Sequence, residues 1–334
     1  MAFFNTFLKT IGILLGFSTF VVILTVFLSI LPKNDGDFSF SEGNRQSENI
    51  IAVINLNGPI IKNLNQNLIG NIIDYINPEY VKKSLKNLEE LNPQIVIIRI
   101  NSPGGTVTAT AGLEKIFKKF KNKTKSKIYF YTDEILASGG YWVSTSGDKI
   151  FTNYGSIIGS IGVSGPTWYY YNRPKSISNN LFGQTIETER GIEVFNQNAG
   201  ISKDLFNPFR KPTSQELNHL ESMVKEIYED FILKVSSSRK IERKNLINDI
   251  GALIFTSSQA KKNFLVDDVI NFEDLINQIV TEENYSDYKI IQKNLKKGFI
   301  KNFISNYFSK ENTFICNELN SNFSTIFPIF LNNC

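Results

Sequence analysis

Hydrophobic residues along this chain follow three patterns, each typical of a different kind of structure. An uncharged apolar run covers residues 11–31, near-continuous β-branched runs occupy residues 50–56 and 95–100, and apolar residues recur at helical spacing between these runs. Continuous β-branched runs are typical of strands that are buried on both faces of a parallel sheet. Alternation of such strands with helices predicts an α/β domain.

The polar positions between the runs predict where the helices begin. Asn77 can cap a first helix and Pro78 suits its first turn, and a second helix leads into a further strand at residues 127–132. Two successive β-α-β units are therefore expected. The apolar face predicted for the first helix comprises Val81, Leu85, Leu88 and Leu91, and that of the second comprises Leu113, Ile116, Phe117 and Phe120.

The uncharged run near the N-terminus is long enough to cross a bilayer as a helix. A cleaved signal peptide has a shorter apolar region and an Ala-x-Ala-like site, whereas this run ends in Leu31, Pro32 and Lys33. We therefore expect an uncleaved single-pass anchor at residues 1–32 and a polar linker at 33–49. Lys9 favours a cytoplasmic N-terminus with the bulk of the chain outside the cytoplasm, on the periplasmic side, although Lys33 and Arg45 weaken that charge signal.

Composition excludes several classes of function. The net charge is +4 over 334 residues, and the basic residues are interspersed with acidic ones, so a nucleic-acid partner is not expected. Both cysteines, Cys316 and Cys334, lie near the end of the chain, away from any metal-binding cluster. The sequence predicts neither a metal site nor a cofactor, and the two cysteines could be paired or free.

Ser138 is the strongest candidate for a nucleophile. It follows the strand predicted at 127–132, stands between Ala137 and two glycines, and precedes a helical pattern. Small neighbours leave room for a substrate carbonyl, and the first N–H groups of a helix favour developing negative charge. A Ser-Gly-Gly turn without chemistry is the alternative interpretation.

A second glycine loop, residues 101–105, directly follows the strand at 95–100. Sites in α/β domains lie at the carboxyl ends of parallel strands. If the two strands are neighbours, the N–H groups of Gly105 and Gly139 could converge on one carbonyl oxygen as an oxyanion hole, where each donor lowers a barrier by roughly 3 to 4 kcal/mol. An ordinary tight turn is the alternative for residues 101–105.

The sequence restricts the choice of a base for Ser138. Its only histidine, His219, lies in a helix that begins with a capping box of Thr213 and Glu216, and we expect the ring to face solvent or a neighbouring helix. A Ser-His-Asp triad requires that helix to abut the glycine loops. The other option is a lysine whose pKa is lowered by burial, and spacing alone does not choose among the lysines.

Four segments, residues 101–105, 137–141, 159–163 and 202–210, occur in the order and context of the signal peptide peptidase, or protease IV, family. From about residue 50 to residue 275 the sequence resembles these membrane-anchored serine proteases. The resemblance implies a Clp-protease/crotonase-like spiral of β-β-α units after one N-terminal transmembrane helix. Each motif occurs once, as in the short form of the family, whose relatives assemble into homo-oligomeric rings.

The resemblance also implies roles for individual residues. It makes Ser138 the nucleophile, Lys203 the general base, Ser160 the residue that orients the lysine, and Gly105 and Gly139 the oxyanion donors. The serine protease domain would then span residues 50–278, followed by a tail at 279–334 without an assigned role. The chain departs from the family in an aromatic stretch at 167–174, which could line a substrate pocket or form a buried cluster.

By this resemblance the chain would be a serine endopeptidase in the inner or cell membrane. Its substrates would be released signal peptides and other membrane-associated peptides, cleaved by a Ser-Lys dyad. The apolar residues beside Lys203, among them Leu205 and Phe206, could provide the burial that a basic lysine needs. The alternative function is that of a crotonase-fold binding protein or acyl-thioester enzyme, which needs no Ser-Lys pair.

Overall fold

The computed structural model describes residues 2–30, 38–62, 75–170, 178–180, 183–185 and 199–293. The helices are α1 (Ala2–Ile30), α2 (Pro78–Glu89), α3 (Val107–Thr124), α4 (Gly139–Ser144), α5 (Ser214–Arg239), α6 (Arg243–Asn245), α7 (Ser257–Lys262) and α8 (Phe272–Glu282), with a π-helical turn at Leu246–Ile250. The strands are β1 (Phe38–Gly43), β2 (Ile50–Asn57), β3 (Ile95–Asn101), β4 (Lys127–Thr132), β5 (Ile135–Ala137), β6 (Lys149–Thr152), β7 (Ile157–Gly159), β8 (Ser178–Asn180), β9 (Gly183–Thr185), β10 (Ile254–Thr256), β11 (Asp268–Val269) and β12 (Lys289–Lys293).

Seven strands form one sheet in the order β1-β12-β2-β3-β4-β6-β11. Every neighbouring pair is parallel except the edge pair of β1 and β12. The β-branched runs explain the central position of β2 and β3, because their side chains are buried on both faces of the sheet. The predicted α/β domain with a parallel sheet is confirmed.

The two faces of the sheet carry separate cores. One face packs against α2, α3, α4 and α5 through residues such as Leu85, Phe117 and Phe231, and the other packs against α8 through Leu275 and Ile279. Each fully buried aliphatic side chain contributes about 1.5–3 kcal/mol relative to an exposed one. The sheet therefore forms a rigid platform, and loops at its carboxyl edge inherit that rigidity.

The first predicted helix is α2, and its N-terminus is confirmed. Asn77 is the N-cap, its side chain accepts a hydrogen bond from the Glu79 N–H, and Pro78 is in the first turn. The prediction for the end of the helix was wrong. Leu91 is 43% exposed because the helix ends at Glu89 and the chain turns at Asn92, where φ is 45°.

The capping box of α5 is confirmed, whereas the apolar residues of this helix are buried only in part. The Thr213 hydroxyl and the Glu216 carboxylate each bind the other's backbone N–H. Phe231, toward the end of the helix, is buried, but Leu217 in the first half is 49% exposed. The first half of α5 therefore extends beyond the main core.

The central sheet continues beyond the limits expected for the catalytic domain. β1 lies within residues 33–49, expected to be a polar linker, and β12 lies within residues 279–334, expected to be a tail. Both join the seven-stranded sheet, because β12 pairs with β2 and β1 pairs with β12. The remaining tail residues, with Cys316 and Cys334, lie outside the described residues.

Helix α1 contains a 22-residue stretch, Phe4–Thr25, with a mean hydropathy of 2.1. Its described side chains are exposed, and none of that stretch is buried against the rest of the protein. By length and composition it could cross a membrane. A membrane anchor at this position stays a prediction.

A smaller sheet leads to the two candidate serines, Ser138 and Ser160. Its strand order is β10-β7-β5, with β5 parallel to β7 and β7 antiparallel to β10. The short strand β5 also joins the end of β3, because Ser102 forms a bridge with Leu136. The large and small sheets therefore meet immediately before Ser138.

Candidate active site

Ser138 lies at the junction between β5 and α4. Its backbone has a conformation that residues other than glycine rarely adopt. Its φ is 50° and its ψ is −121°. A non-glycine residue with positive φ is strained, and such residues cluster at functional sites. The side chain is partly exposed, and its hydroxyl does not cap α4. A strained serine on a sharp strand-to-helix turn is how α/β hydrolases present their nucleophile.

The two glycine loops meet at Ser138. The sequence predicted this contact for the case in which β3 and β4 are neighbouring strands. A Cβ atom on Gly104, where φ is +116°, would lie 2.8 Å from the Ser138 Cβ and 3.0 Å from its Oγ. A Cβ atom on Gly139 would lie 3.2 Å from the backbone nitrogen of Gly105. Because Gly104 and Gly139 have no side chains, the backbones of the two loops can come into contact.

The Gly105 and Gly139 N–H groups form no hydrogen bond with any residue that the structure describes. For Gly139 the reason is its place in the first turn of α4. For Gly105 the reason is its β-bridge to Ile60. The hydrogen bonds of that bridge are made by the Gly104 carbonyl and the Thr106 N–H, and not by the Gly105 N–H. Two neighbouring donors without partners beside a serine hydroxyl suit a developing oxyanion.

Asn101 joins the two loops, and the sequence reasoning gave it no role. Its Oδ1 accepts hydrogen bonds from the Thr132 hydroxyl at 2.9 Å, the Asp133 N–H at 3.0 Å and the Glu134 N–H at 3.1 Å. Three donors on one oxygen fix the turn between β4 and β5, and therefore the approach to Ser138. The only signal in the sequence was an asparagine placed directly after a buried strand.

Helix α4 is supported from behind by a buried acid. The Trp142 ring stacks on Phe231 of α5 at 5.0 Å between centroids, and its Nε1 donates to the Glu114 carboxylate at 2.7 Å. Burial alone would raise the pKa of Glu114, but hydrogen bonds from Lys118 and Trp142, with the charges of Lys118 and Lys234, outweigh it and lower that pKa. The ionised carboxylate therefore ties α3, α4 and α5 together.

Ser160 lies beside Ser138, one residue beyond the pairing of β5 with β7. The register pairs Ala137 with Gly159, and the Ser138 N–H donates to the Gly159 carbonyl at 2.9 Å. Ser160 also has a positive φ, 53°, and its N–H donates to the Leu253 carbonyl at 2.8 Å. The two serines therefore follow adjacent parallel strands, and both have a positive φ.

Lys203 lies in a loop of turns between Gly200 and α5, and it is exposed. Among the described residues its amine has no hydrogen bond or ion pair. The apolar burial expected for this amine is therefore not provided by the described part of a single chain. Its role as the general base stays a prediction.

Arg210 clamps the Lys203 loop to the start of α5. Its guanidinium donates to both oxygens of Asp204 at 2.7 and 2.8 Å and to both oxygens of Glu216 at 2.7 and 2.9 Å. It also lies 5.2 Å from the Trp168 ring centroid, and Trp168 contacts Phe206 at 5.3 Å. Sequence reasoning missed Arg210, because its two carboxylate partners lie six residues away on either side.

The clamp has a clear electrostatic consequence. The Arg210 guanidinium, by its hydrogen bonds and its charge, lowers the pKa of Asp204. It does the same for Glu216, whose carboxylate also receives the Thr213 N–H, and the two carboxylates in turn raise the pKa of Arg210. The charge of Asp204, next to Lys203 in sequence, is therefore engaged by Arg210.

The remaining candidates have less support. His219 is exposed on α5, and within the described ranges its ring makes no hydrogen bond, so a Ser-His-Asp triad gains nothing from the structure. Of the aromatic stretch, Trp168 packs against the Lys203 loop, Tyr169 is 59% exposed, and residues 171–174 lie outside the described residues.

Comparison with known proteins places this site in context. The chain is 32% identical over 204 residues to a provisionally named protease of Methanocaldococcus jannaschii, covering 61% of this chain and 60% of that protein. It is 27% identical over 250 residues to a provisionally named signal peptide peptidase of Enterococcus faecium, covering 75% of this chain and 68% of that protein. The chain therefore spans about two thirds or less of these relatives.

Among solved structures, a mutant of the 1510-N membrane-bound stomatin-specific protease is similar, with 15% sequence identity and a TM-score of 0.39. The similarity covers 70% of this chain and 85% of that one. The family comparison is more informative, because the model described as Peptidase family S49 matches residues 120–286, which is half of the chain. This chain therefore belongs to peptidase family S49.

Proposed function

We propose that this chain is a serine endopeptidase in which Ser138 is the nucleophile. The observation that carries the proposal is the strained turn at Ser138, whose hydroxyl lies beside the N–H groups of Gly105 and Gly139, which have no partner among the described residues. Acyl transfer needs a nucleophile and donors for the oxyanion at one point. Membership of a peptidase family makes a peptide the substrate that this chemistry would attack.

The reaction would proceed in two steps, the acylation of Ser138 and the hydrolysis of the acyl-enzyme. A neutral amine takes the Ser138 proton as Oγ attacks the peptide carbonyl, and the resulting oxyanion is bound by the Gly105 and Gly139 N–H groups. Collapse of this intermediate releases the amine product, which receives the proton, and leaves an acyl-enzyme. Water then attacks the acyl group with the same base, and the acid product leaves.

Lys203 is the proposed base and Ser160 the residue that orients it. Lysine is a base only when its amine is neutral, and removal from water favours the neutral form. Two observations support Lys203: its amine has no partner among the described residues, and the Arg210 clamp engages the neighbouring Asp204. Ser160 is suited to its role because it lies on the strand beside Ser138.

The exposed position of Lys203 makes assembly part of the proposal. We propose a homo-oligomeric ring of this chain in which Lys203 becomes buried and completes the site of a neighbouring subunit. We also propose that the α/β domain is a Clp-protease/crotonase-like spiral. Its β-β-α units are consistent with β5 and β7, which form a second layer of strands beside the large sheet.

The proposed setting is a membrane. Helix α1 would anchor the chain by a single span, with the catalytic domain on the periplasmic side, and the substrates would be released signal peptides and other membrane-associated peptides. An apolar stretch of suitable length supports the anchor. N-terminal sequencing of the purified protein tests it, because a mature chain that begins near Pro32 would contradict an uncleaved anchor.

Labelling with a fluorophosphonate and hydrolysis of a fluorogenic peptide test the nucleophile. We expect the unchanged protein to be labelled and active, and Ser138→Ala to lose both properties. Ser144→Ala is the matched control, since Ser144 is in the same short helix and its hydroxyl is bound to the Tyr141 carbonyl. Peptide hydrolysis by Ser138→Ala would refute the proposal.

The same assay separates the alternative class of function. A crotonase-fold binding protein or acyl-thioester enzyme would use the glycine N–H groups without a serine nucleophile. Such a protein would neither react with the fluorophosphonate nor cleave the peptide, and it would hydrolyse or bind an acyl thioester instead.

Mixed assemblies test the base and the ring together. Ser138→Ala and Lys203→Ala should each be inactive, and Lys203→Arg should be inactive too, because a guanidinium cannot be deprotonated here. Coexpression of the Ser138→Ala and Lys203→Ala chains should restore activity if serine and lysine meet across a subunit boundary. An assembled but inactive mixture would contradict pairing between subunits, and an active Lys203→Arg would contradict the base.

A further inference from the structure

A buried threonine hydroxyl next to the proposed oxyanion hole has no hydrogen-bond partner. In the described part of the chain, three buried side-chain oxygens lack a partner, those of Asn55, Thr110 and Tyr131. Thr110 is the one that packs against Gly139. Unsatisfied buried polar groups are rare in folded proteins, because each one costs stability, and each needs an explanation.

The same helix shows what a threonine hydroxyl ordinarily does. Thr124, at the end of α3, donates its hydroxyl hydrogen bond to the Phe120 carbonyl four residues earlier, at 3.0 Å. Thr110 is in the first turn of α3, and the equivalent carbonyl, that of Thr106, accepts only the Thr110 N–H among the described donors. The Thr110 hydroxyl therefore does not form the hydrogen bond to the Thr106 carbonyl that Thr124 forms to the equivalent carbonyl at the other end of the helix.

The position of this hydroxyl connects it with the oxyanion donors. A Cβ atom on Gly139 would lie 2.5 Å from Thr110 Oγ1 and 3.4 Å from Thr110 Cγ2. The same point is 3.2 Å from the backbone nitrogen of Gly105. Thr110 is thus packed against the glycine that follows the nucleophile, on the side of Gly139 that also faces the Gly105 nitrogen.

We propose that the Thr110 hydroxyl is a third donor of the oxyanion hole and makes its hydrogen bond only when the oxyanion forms. This inference rests on the proposed function. Attack on the peptide carbonyl creates a negatively charged oxygen beside Gly139, which is a much stronger acceptor than the carbonyl of the bound peptide. The Thr110 hydroxyl is a nearby side-chain donor with no competing bond.

Such a donor affects the rate of the reaction more than the binding of substrate. Because its hydrogen bond is absent in the ground state and present in the transition state, its loss lowers kcat and leaves KM nearly unchanged. A threonine that only fills space behind Gly139 predicts the opposite outcome. Removal of its hydroxyl would then leave kcat unchanged.

Two pairs of variants isolate the hydroxyl from the methyl group. Thr110→Val removes the hydroxyl at nearly constant shape, and Thr110→Ser and Thr110→Ala differ from each other only by the hydroxyl. With the fluorogenic peptide we expect Thr110→Val and Thr110→Ala to have a kcat roughly 10- to 100-fold lower at similar KM. Thr110→Ser should recover most of that loss, and Thr124→Val, the control in the same helix, should retain the normal kcat.

Stability and a tetrahedral inhibitor provide readouts that a structural role would not reproduce. Thr110→Val should melt at the same temperature as the unchanged protein or higher, because it removes an unsatisfied buried group. A peptide boronate forms a tetrahedral adduct with serine, and its affinity should fall by the same factor as kcat/KM in Thr110→Val. Loss of activity without loss of stability would support a catalytic role.

Equal kcat values for Thr110→Ser and Thr110→Ala would overturn the inference, as would a Thr110→Val protein with normal kcat and boronate affinity. If Thr110→Val does not fold, the comparison of serine with alanine decides alone. Ser138→Ala distinguishes this failure from failure of the proposed function. An active Ser138→Ala refutes the peptidase mechanism, whereas an inactive Ser138→Ala together with a fully active Thr110→Ala refutes only the role of Thr110.

Discussion

The Ser138 loop and the Lys203 loop are built in opposite ways. Ser138 is held by backbone hydrogen bonds and strand pairing on two sides, and glycines bring its neighbours into contact. Lys203 is exposed, and its loop is linked to α5 by the side chain of Arg210, which binds Asp204 and Glu216. The first loop is a fixed part of the sheet edge, whereas the second is attached to the start of α5.

This difference suggests how the two parts of a dyad can be specified separately. A nucleophile and its oxyanion donors must be aligned to within fractions of an ångström, and the backbone of a sheet provides such alignment. A loop held by a charged clamp can present a base to a site formed elsewhere, including one on another subunit. Three predictions test this contrast, beginning with the largest expected effect.

Gly105→Ala should damage both the fold and the activity. Its Cβ would lie 2.0 Å from the Ile60 carbonyl oxygen, so the loop must move away from Ile60 and the position of the Gly105 N–H beside Ser138 must change. We expect the free energy of unfolding to fall by about 1–3 kcal/mol and kcat/KM to fall by roughly 100-fold or more. Thermal unfolding and peptide hydrolysis measure the two effects.

Gly112→Ala is the matched control for this substitution. Gly112 is in the middle of α3, and nothing lies within 4 Å of the position of an added Cβ. Alanine in place of glycine in a helix interior should stabilise the protein by about 0.5–1 kcal/mol. A Gly105→Ala protein with normal activity would contradict the requirement for the Gly105 backbone in its present position against Ile60.

Arg210→Met should lower activity while leaving the core intact. Without the guanidinium, Asp204 and Glu216 lose their shared partner, and the Lys203 loop loses its attachment to α5. We expect kcat to fall by about 10-fold, because a misplaced base costs rate, with only a small change in melting temperature, since the clamp is partly exposed.

Arg243→Met provides the comparison for Arg210→Met. Arg243 forms an ion pair with Glu229 at the surface, away from the Lys203 loop. Its replacement should change neither kcat nor the melting temperature appreciably. If both arginine variants lost activity to the same extent, the effect would be one of general charge and the clamp would have no special role.

Acid should release the Lys203 loop before the Ser138 loop. The pKa values of Asp204 and Glu216 are lowered in the folded protein by Arg210, from ordinary values of 3.8 and 4.5. Their stabilising contribution is therefore complete above those ordinary values and is lost as the pH falls through the depressed ones. Hydrogen exchange of residues 199–211, corrected for the intrinsic rate, should be constant from about pH 7 to pH 5 and increase in more acidic solution.

The Arg210→Met variant also serves as the control for this experiment. It should exchange faster in residues 199–211 at every pH, because the clamp is already absent. Residues 135–140, which are held by strand pairing and backbone hydrogen bonds, should show no comparable change over the same range. Acid release of both loops at the same pH would contradict the difference between them.

Local sequence patterns were sufficient for much of the framework. The β-branched runs predicted β2 and β3, the Asn77 and Pro78 pair predicted the start of α2, and Thr213 with Glu216 predicted the start of α5. These features depend on residues that are a few positions apart, because strand burial, capping and turn formation are short-range effects. The same local chemistry identified the serine at a strand-to-helix turn.

Contacts between distant residues were not predictable in this way. Leu91 and Leu217 match apolar patterns but are exposed, since no other element covers them. The place of β1 and β12 in the sheet depends on strands more than 200 residues apart. Arg210 gave no signal because its function depends on two carboxylates that only the folded loop brings together.

By itself, the sequence determined an α/β chain with an apolar N-terminal segment, a candidate nucleophile at Ser138 and two glycine loops that could meet it. Only the tertiary structure decided that the Gly105 and Gly139 backbones touch, that the Thr110 hydroxyl faces Gly139 without a hydrogen-bond partner in the described part of the chain, and that Lys203 stays exposed on a clamped loop. The physical reason is the distance in sequence between the residues that interact. Periodicity and capping are encoded by near neighbours, whereas burial, pairing and the loss of a partner depend on which distant segments pack together.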